Sequence, residues 1–180
     1  ATVLNKRMGM TVAHTMADDN PSEVVDWIPT GCTWLDGIIC RGKIAGIPVG
    51  RITEIAGLEA SGKSYMAAQV AANATSKGMS VIYFDSEAAM DFEFLRKAGV
   101  DEESFLRVTP TSVENMLETI ETVLTEGNEN VLFIWDSLAN TPTESDNSGT
   151  FNPQETMALK ARILSKAMQK LTIPLNETNS

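Results

Sequence analysis

Several scarcities narrow what this chain of 180 residues can be. It has two cysteines, Cys32 and Cys40, outside any C-x-x-C spacing. That gives neither a disulfide framework nor a zinc ribbon, and reduced, buried thiols beside a short helix are expected. The single histidine, His14, lies in a polar stretch without partners, so a histidine-based metal site has no support. No apolar run approaches a membrane span, and the amino end lacks the continuous apolar core of a signal peptide, so no membrane partner and a cytoplasmic setting are expected. Basic residues are also few: 14 Lys and Arg against 24 Asp and Glu leave a net charge of −10. That argues against a general basic surface for gripping nucleic acid, since neutralising phosphates takes clustered Lys and Arg, and leaves room for a local basic strip. The densest basic strip, Lys160, Arg162, Lys166 and Lys170, falls on one helix and reads as solvated surface.

What is present centres on the stretch from Arg51 to Ser64. A β-branched run, Ile52, Thr53 and Ile55, enters G-x-x-x-x-G-K-S, formed by Gly57, Leu58, Glu59, Ala60, Ser61, Gly62, Lys63 and Ser64. The residues from Tyr65 onward read as helix. Strand, glycine loop and helix are the setting in which this motif cradles phosphate. Backbone N–H groups converge on phosphate oxygens, and the helix adds its positive end. Lys63 is placed to reach β- and γ-phosphates, and Ser64 to ligate magnesium.

Around that centre the apolar periods alternate. Ser80 to Asp85 and Val131 to Asp136 are continuous apolar strands closing on acids, of the kind buried on both faces, and Phe105 to Thr109 is a shorter strand. Helices are expected over Ser22 to Trp27, from Thr33, from Tyr65 to about Lys77, over Asp91 to Ala98, from Ser112 to about Glu126, and over Gln154 to Leu171. On the last of these, Met157, Ala161, Leu164, Met168 and Leu171 form a core-facing stripe. Residues 1–28 read as an amino-terminal arm with a short helix, either a free end or a contact for a neighbour, and residues 29–180 as the core. Thr141 to Pro153 is a long polar connection, the kind that is either functional or disordered. Strands alternating with helices of this length give an α/β fold, a parallel sheet covered by helices on both faces.

Ligands of such sheets bind beyond the carboxyl ends of the strands, where Gly57, Glu87 and Asp136 are delivered. Asp136, after four apolar residues, has the Walker B arrangement, a carboxylate turned towards the magnesium shell. Glu87 is the candidate to polarise an attacking water, with a capping or surface acid as the plainer reading.

Assembled in this order, the motifs resemble the RecA recombinase ATPase core in its phage-like, UvsX-type form. The resemblance is carried by Thr30-Gly-Cys-Thr-Trp-Leu-Asp36, Gly50 through Ser64, Tyr83 through Asp91, Ile134 through Leu138, and Met157 through Leu171. It implies a RecA-like P-loop NTPase fold that binds ATP and Mg2+. In it Lys63 and Glu87 are catalytic, Ser64 and Asp136 serve the metal, residues 57–65 hold the phosphates, and Asp91 with Phe94 meets adenine. It also implies single-stranded DNA as a partner, a homo-oligomer or filament, DNA-stimulated hydrolysis serving recombination and repair, and the cytoplasm of a bacterial or phage-infected cell. The family's first DNA-binding loop falls on Thr141 to Pro153, here without Lys or Arg. The resemblance further implies that the family's later strands, one of them between the P-loop strand and the Walker B strand, lie beyond Ser180. The gap so left is expected to be closed by strand re-pairing, by exchange with another copy, or by a separately encoded remainder. Turnover by these 180 residues alone stays open. The alternatives are a RecA-fold replicative helicase-like ATPase and a truncated nucleotide-binding or assembly protein without turnover.

Overall fold

A computed structural model describes residues 2–9, 23–42, 45–88, 90–127, 130–149 and 158–180. The predicted helix and strand pattern is met most closely where apolar runs are continuous. Strand β3, Ser80–Asp85, pairs in parallel with β4, Phe105–Val108, on one side and with β5, Val131–Asp136, on the other. Register aligns Asp85 with Asp136, so the two acids end neighbouring strands side by side.

Side chains alternate across this sheet as a pleated strand requires. Val81 joins one core with Ala68, Ala71 and Ala74 of α3, Lys63–Ser76, and Leu95 of α4, Phe92–Ala98. Ile82 and Phe84 point the other way, into Met116 and Ile120 of α5, Val113–Glu126, and Leu171 and Leu175 of α7, Leu159–Thr178. The small alanines of α3 bring its backbone close to the sheet. On the opposite face Phe84, fully buried, contributes on the order of 1.5–3 kcal/mol through the apolar surface it hides from water. The result is the expected α/β layering, with helices on both faces.

Local signals set the helix ends. Ser112 caps α5 by accepting from Asn115 N, Asp91 caps α4 by accepting from Glu93 N, and Gly99 closes α4. Helix α7 begins later than the predicted Gln154 and runs beyond Leu171 through Pro174, because Leu171 and Leu175, one turn apart, are both buried. Of its predicted stripe, Leu171 is buried in the core, Leu164 and Met168 are half-buried, Ala161 is exposed, and Met157 lies outside the described residues.

Other expectations fail. The helix expected over Ser22–Trp27 is not found in its described part: residues 23–26 are irregular, and β1, Trp27–Ile28, pairs antiparallel with β2, Ile47–Pro48. This long-range ladder overrides the weak local preference. The arm contains a helix, α1, Thr2–Met8, which buries none of its residues, while His14 lies outside the described residues. Cys32 is exposed at the start of α2, Thr33–Ile39, rather than buried; Cys40 is half-buried, and both are free thiols. Strand β5 is only partly buried after Val131, in contrast to β3, because β3 has a strand on each side and β5 pairs on one side only among the described residues.

Residues 51–57, predicted as the strand entering the glycine loop, make no ladder among the described residues. Ile52 is 49% exposed and Ile55 36%. The re-pairing of strands considered from sequence is not seen among the described residues. Instead the end of α7 lies beside both parts: Gly50 N donates to Ser180 O at 3.0 Å, Val131 N donates to Ser180 Oγ at 3.2 Å, and Arg51 Nη1 donates to Asn176 Oδ1 at 2.6 Å.

Candidate functional site

The glycine loop is closed upon itself at the start of α3. Lys63 Nζ donates to Gly57 O at 3.0 Å and to Leu58 O at 2.8 Å. At Gly57 the loop is tight: a Cβ there would stand 2.9 Å from Ser61 Oγ, so that hydroxyl would have to turn aside. Gly62 caps α3 at φ +92°, a left-handed backbone that suits a residue without a Cβ. Leu58, Glu59, Ala60, Ser61 and Ser64 are exposed, so the amides of the first turn of α3 open to solvent. An exposed bend with an ammonium at its mouth and a helix amino end behind it is a cradle suited to a polyanion.

Two acids stand at the ends of β3 and β5. Asp136 Oδ2 accepts from the buried Tyr83 hydroxyl at 2.8 Å. Burial first, and then this bond to a carboxylate, hold the Tyr83 phenol protonated far above its ordinary range. Glu87 is exposed just past the end of β3, and its Oε1 accepts from Asn140 Nδ2 at 2.6 Å and from Ser137 Oγ at 3.0 Å. The two turns are stitched together by backbone and serine: Ser86 N donates to Asp136 O at 3.0 Å, Ser137 N donates to Ser86 Oγ at 2.8 Å, and Ser86 Oγ donates to Ser137 O at 2.9 Å. Glu87 therefore sits on a frame shared by both strands.

Tyr65, in the first turn of α3, has its ring centroid 5.6 Å from that of Phe94 on α4, tilted by 50°. Tyr65 is 57% exposed, and Phe94 is half-buried. This brings an aromatic surface next to the loop. Asp91 caps α4 through Oδ1 at its exposed start.

For a hard cation, Ser64 and Asp136 offer oxygens, and among the described residues no group of three or more His, Cys, Asp or Glu is gathered. That donor set fits magnesium shared with phosphate and water better than a metal enclosed by protein alone. The residues present thus fit both a nucleoside polyphosphate and its Mg2+.

The polar connection after β5 is more fixed than its sequence suggests. Thr141 and Thr143 are buried, and Thr141 Oγ1 accepts from Trp135 Nε1 at 2.7 Å. Thr143 forms a capping box with Asp146 on the short helix α6, Glu144–Ser148. Pro142 O accepts from Val113 N at 2.8 Å, and Asn147 Nδ2 donates to Thr111 O at 2.8 Å. Residues 141–149 are thus pinned to the start of α5, while 150–153 of the expected DNA-binding loop lie outside the described residues. On the basic strip, Lys160 donates to Ala139 O at 2.8 Å and Lys170 pairs with Glu121.

Four features of the site escape a reading of the sequence: Tyr83 on Asp136, Asn140 on Glu87, the seating of Asp85, and Arg107, whose guanidinium meets Asp85. An arginine inside the apolar run Phe105-Leu-Arg-Val108 was the one available signal, because a charge in a strand next to the central one needs a partner.

A family described as the RecA N-terminal domain matches residues 2–180. Among curated relatives, the RecA protein of Clostridium beijerinckii is 37% identical over 176 residues, 98% of this chain and 47% of its own length. That of Wolinella succinogenes is 38% identical over 162 residues, 90% of this chain and 45% of its own. That of Bdellovibrio bacteriovorus is 35% identical over 180 residues, 99% of this chain and 46% of its own. The chain spans about half the length of the curated relatives it matches. Among the described residues no helix is long and apolar enough to cross a membrane.

Proposed function

The chain belongs to the RecA family, and on that premise we propose that it binds ATP with Mg2+ as the nucleotide-binding part of a DNA-dependent strand-exchange ATPase. The observation that carries this is the self-closed loop, with Lys63 between the carbonyls of Gly57 and Leu58 at the amino end of α3. Lys63 exchanges those carbonyls for phosphate oxygens, the amides of residues 58–64 hold the polyphosphate, and Ser64 and Asp136 serve the metal. Bound magnesium supplies charge neutralisation of the phosphates. Glu87, kept in place by Asn140 and Ser137, takes the proton of the attacking water at its carboxylate, and Tyr83 fixes the rotamer of Asp136. Tyr65, Asp91 and Phe94 face the base.

Single-stranded DNA and further copies of the chain are the proposed partners, in a bacterial or phage-infected cytoplasm. The exposed apolar residues of α1, Val3, Leu4 and Met8, support a contact between copies, because a helix that buries nothing in its own chain has that surface to offer. Titration calorimetry with Mg·ATP on the purified chain tests the binding reading: measurable binding that Lys63→Ala weakens supports it, and a folded protein with no heat of binding rejects it. Glu87→Gln tests the role of the acid, which requires lost turnover with binding retained.

A further inference from the structure

Arg107 occupies the middle of β4, directly across from Tyr83. Its Nη2 lies 2.7 Å from Asp85 Oδ2. The Asp85 side chain is 4% exposed and that of Arg107 27%, so the pair is well shielded from water. The same Asp85 oxygen accepts from Met90 N at 3.2 Å. The Arg107 guanidinium carbon also lies 5.6 Å from the centroid of the Phe92 ring, within cation–π range. One guanidinium thus meets the last residue of β3 and the first residue of α4, the two ends of the turn between them.

Arg107 Nε is the one buried side-chain polar atom without a hydrogen-bond partner among the described residues. A buried donor left unmet is unfavourable, and it persists here in a side chain engaged at its other end by the two residues that flank one turn. That turn carries Glu87 and Asp91 and delivers Phe94 to Tyr65. We propose that Arg107 is a positioning residue for the base end of the nucleotide site, fixing the β3–α4 turn so that Asp91 and Phe94 present a preformed surface to a purine. The inference rests on the nucleotide reading above. It separates the site into two parts, since Arg107 meets Asp85 and Phe92 at the two ends of the β3–α4 turn, while the phosphate cradle is residues 57–64 at the start of α3.

That separation gives a test a merely structural role would not pass. Calorimetry compares Mg·ATP with Mg·tripolyphosphate, which carries the phosphates and no base, on the whole chain and on Arg107→Met, Arg107→Lys and Phe92→Leu. Phe92 is about half exposed, so its replacement cuts the link without stranding the charge of Asp85. The expectation is that Arg107→Met and Phe92→Leu each weaken ATP by about tenfold, the scale of one cation–π or charge-assisted contact, and leave tripolyphosphate within about twofold. Arg107→Lys recovers part of the ATP affinity, because it restores the charge beside Asp85 without the planar stack on Phe92. Equal weakening of both ligands in Phe92→Leu, or ATP affinity unchanged in both Arg107→Met and Phe92→Leu, overturns the proposal. A parent chain that binds neither ligand overturns the nucleotide reading and this inference with it; one that binds tripolyphosphate as tightly as ATP keeps the cradle and removes the base surface.

Discussion

Tyr83 donates its phenolic hydrogen to Asp136 Oδ2 at 2.8 Å, across the pairing of β3 with β5. A buried tyrosine on the central strand thereby sets the direction of an acid at the tip of its neighbour. Tyr83→Phe keeps the ring's packing and removes only that bond. Stability in urea should fall by about 1.5–3 kcal/mol, the range for a hydrogen bond to a charged group, with the denaturant slope unchanged. The phenol's raised pKa adds a pH signature. Its stabilisation is complete below the ordinary tyrosine value of 10.0 and is lost as pH rises from there towards the higher folded value. Melts at neutral pH and above pH 10 should therefore show a steeper alkaline loss in the parent than in Tyr83→Phe.

Asn140 donates to Glu87, the proposed water-activating acid, so its removal should separate catalysis from binding. In Asn140→Ala, ATP turnover should fall roughly tenfold while ATP affinity stays within about twofold, the pattern of a lost positioning contact. Steady-state kinetics alongside calorimetry reads this, and a change confined to affinity would assign Asn140 to the binding surface instead.

Residues 52–56 are exposed and make no ladder among the described residues, whereas Val81 and Phe84 of β3 are completely buried between two paired strands. Amide hydrogen exchange should divide accordingly. Amides 52–56 exchange within the earliest time points, and those of β3 persist to the limit set by global unfolding. Protection of 52–56 comparable to that of β3, in the purified chain, would mean that they pair in solution.

Lys77 bonds to Asp26 and, at 2.7 Å, to Trp27 O, tying the end of α3 to the entrance of β1. The Lys77 hydrogen bond is the main cause of the lowered Asp26 pKa. A depressed carboxylate contributes stability above its ordinary value of 3.8 that fades as pH falls through the lower folded value. Asp26→Asn should flatten that acidic limb while changing little near neutrality, because the pair is substantially exposed. Thermal melts from mildly acidic pH to below 3.8 check both parts.

The elements that could be read from the chain were those whose signal is local. Ser80–Asp85 and Val131–Asp136 are unbroken apolar runs with acidic ends, and both strands appear with those limits. Ser112 and Gly99 announced a start and a stop that the backbone obeys. The family, too, was legible, because its motifs are ordered along the chain. What stayed hidden depends on residues far apart in sequence. Trp27 becomes strand only because Pro48 is opposite it, and Asn140 reaches Glu87 only after two strands are aligned. The run from Ile52 to Ile55 has strand chemistry, yet a ladder also needs a neighbour, which composition cannot report.

Consider finally what it means that Lys63 already grips its own loop. The bend is preset rather than assembled at the moment of encounter, so little ordering entropy is left to lose when an anion arrives. Affinity then reflects a trade of two neutral carbonyl acceptors for charged oxygens. Small inorganic anions at high concentration should compete for the same ammonium, making buffer choice part of any measurement on this chain.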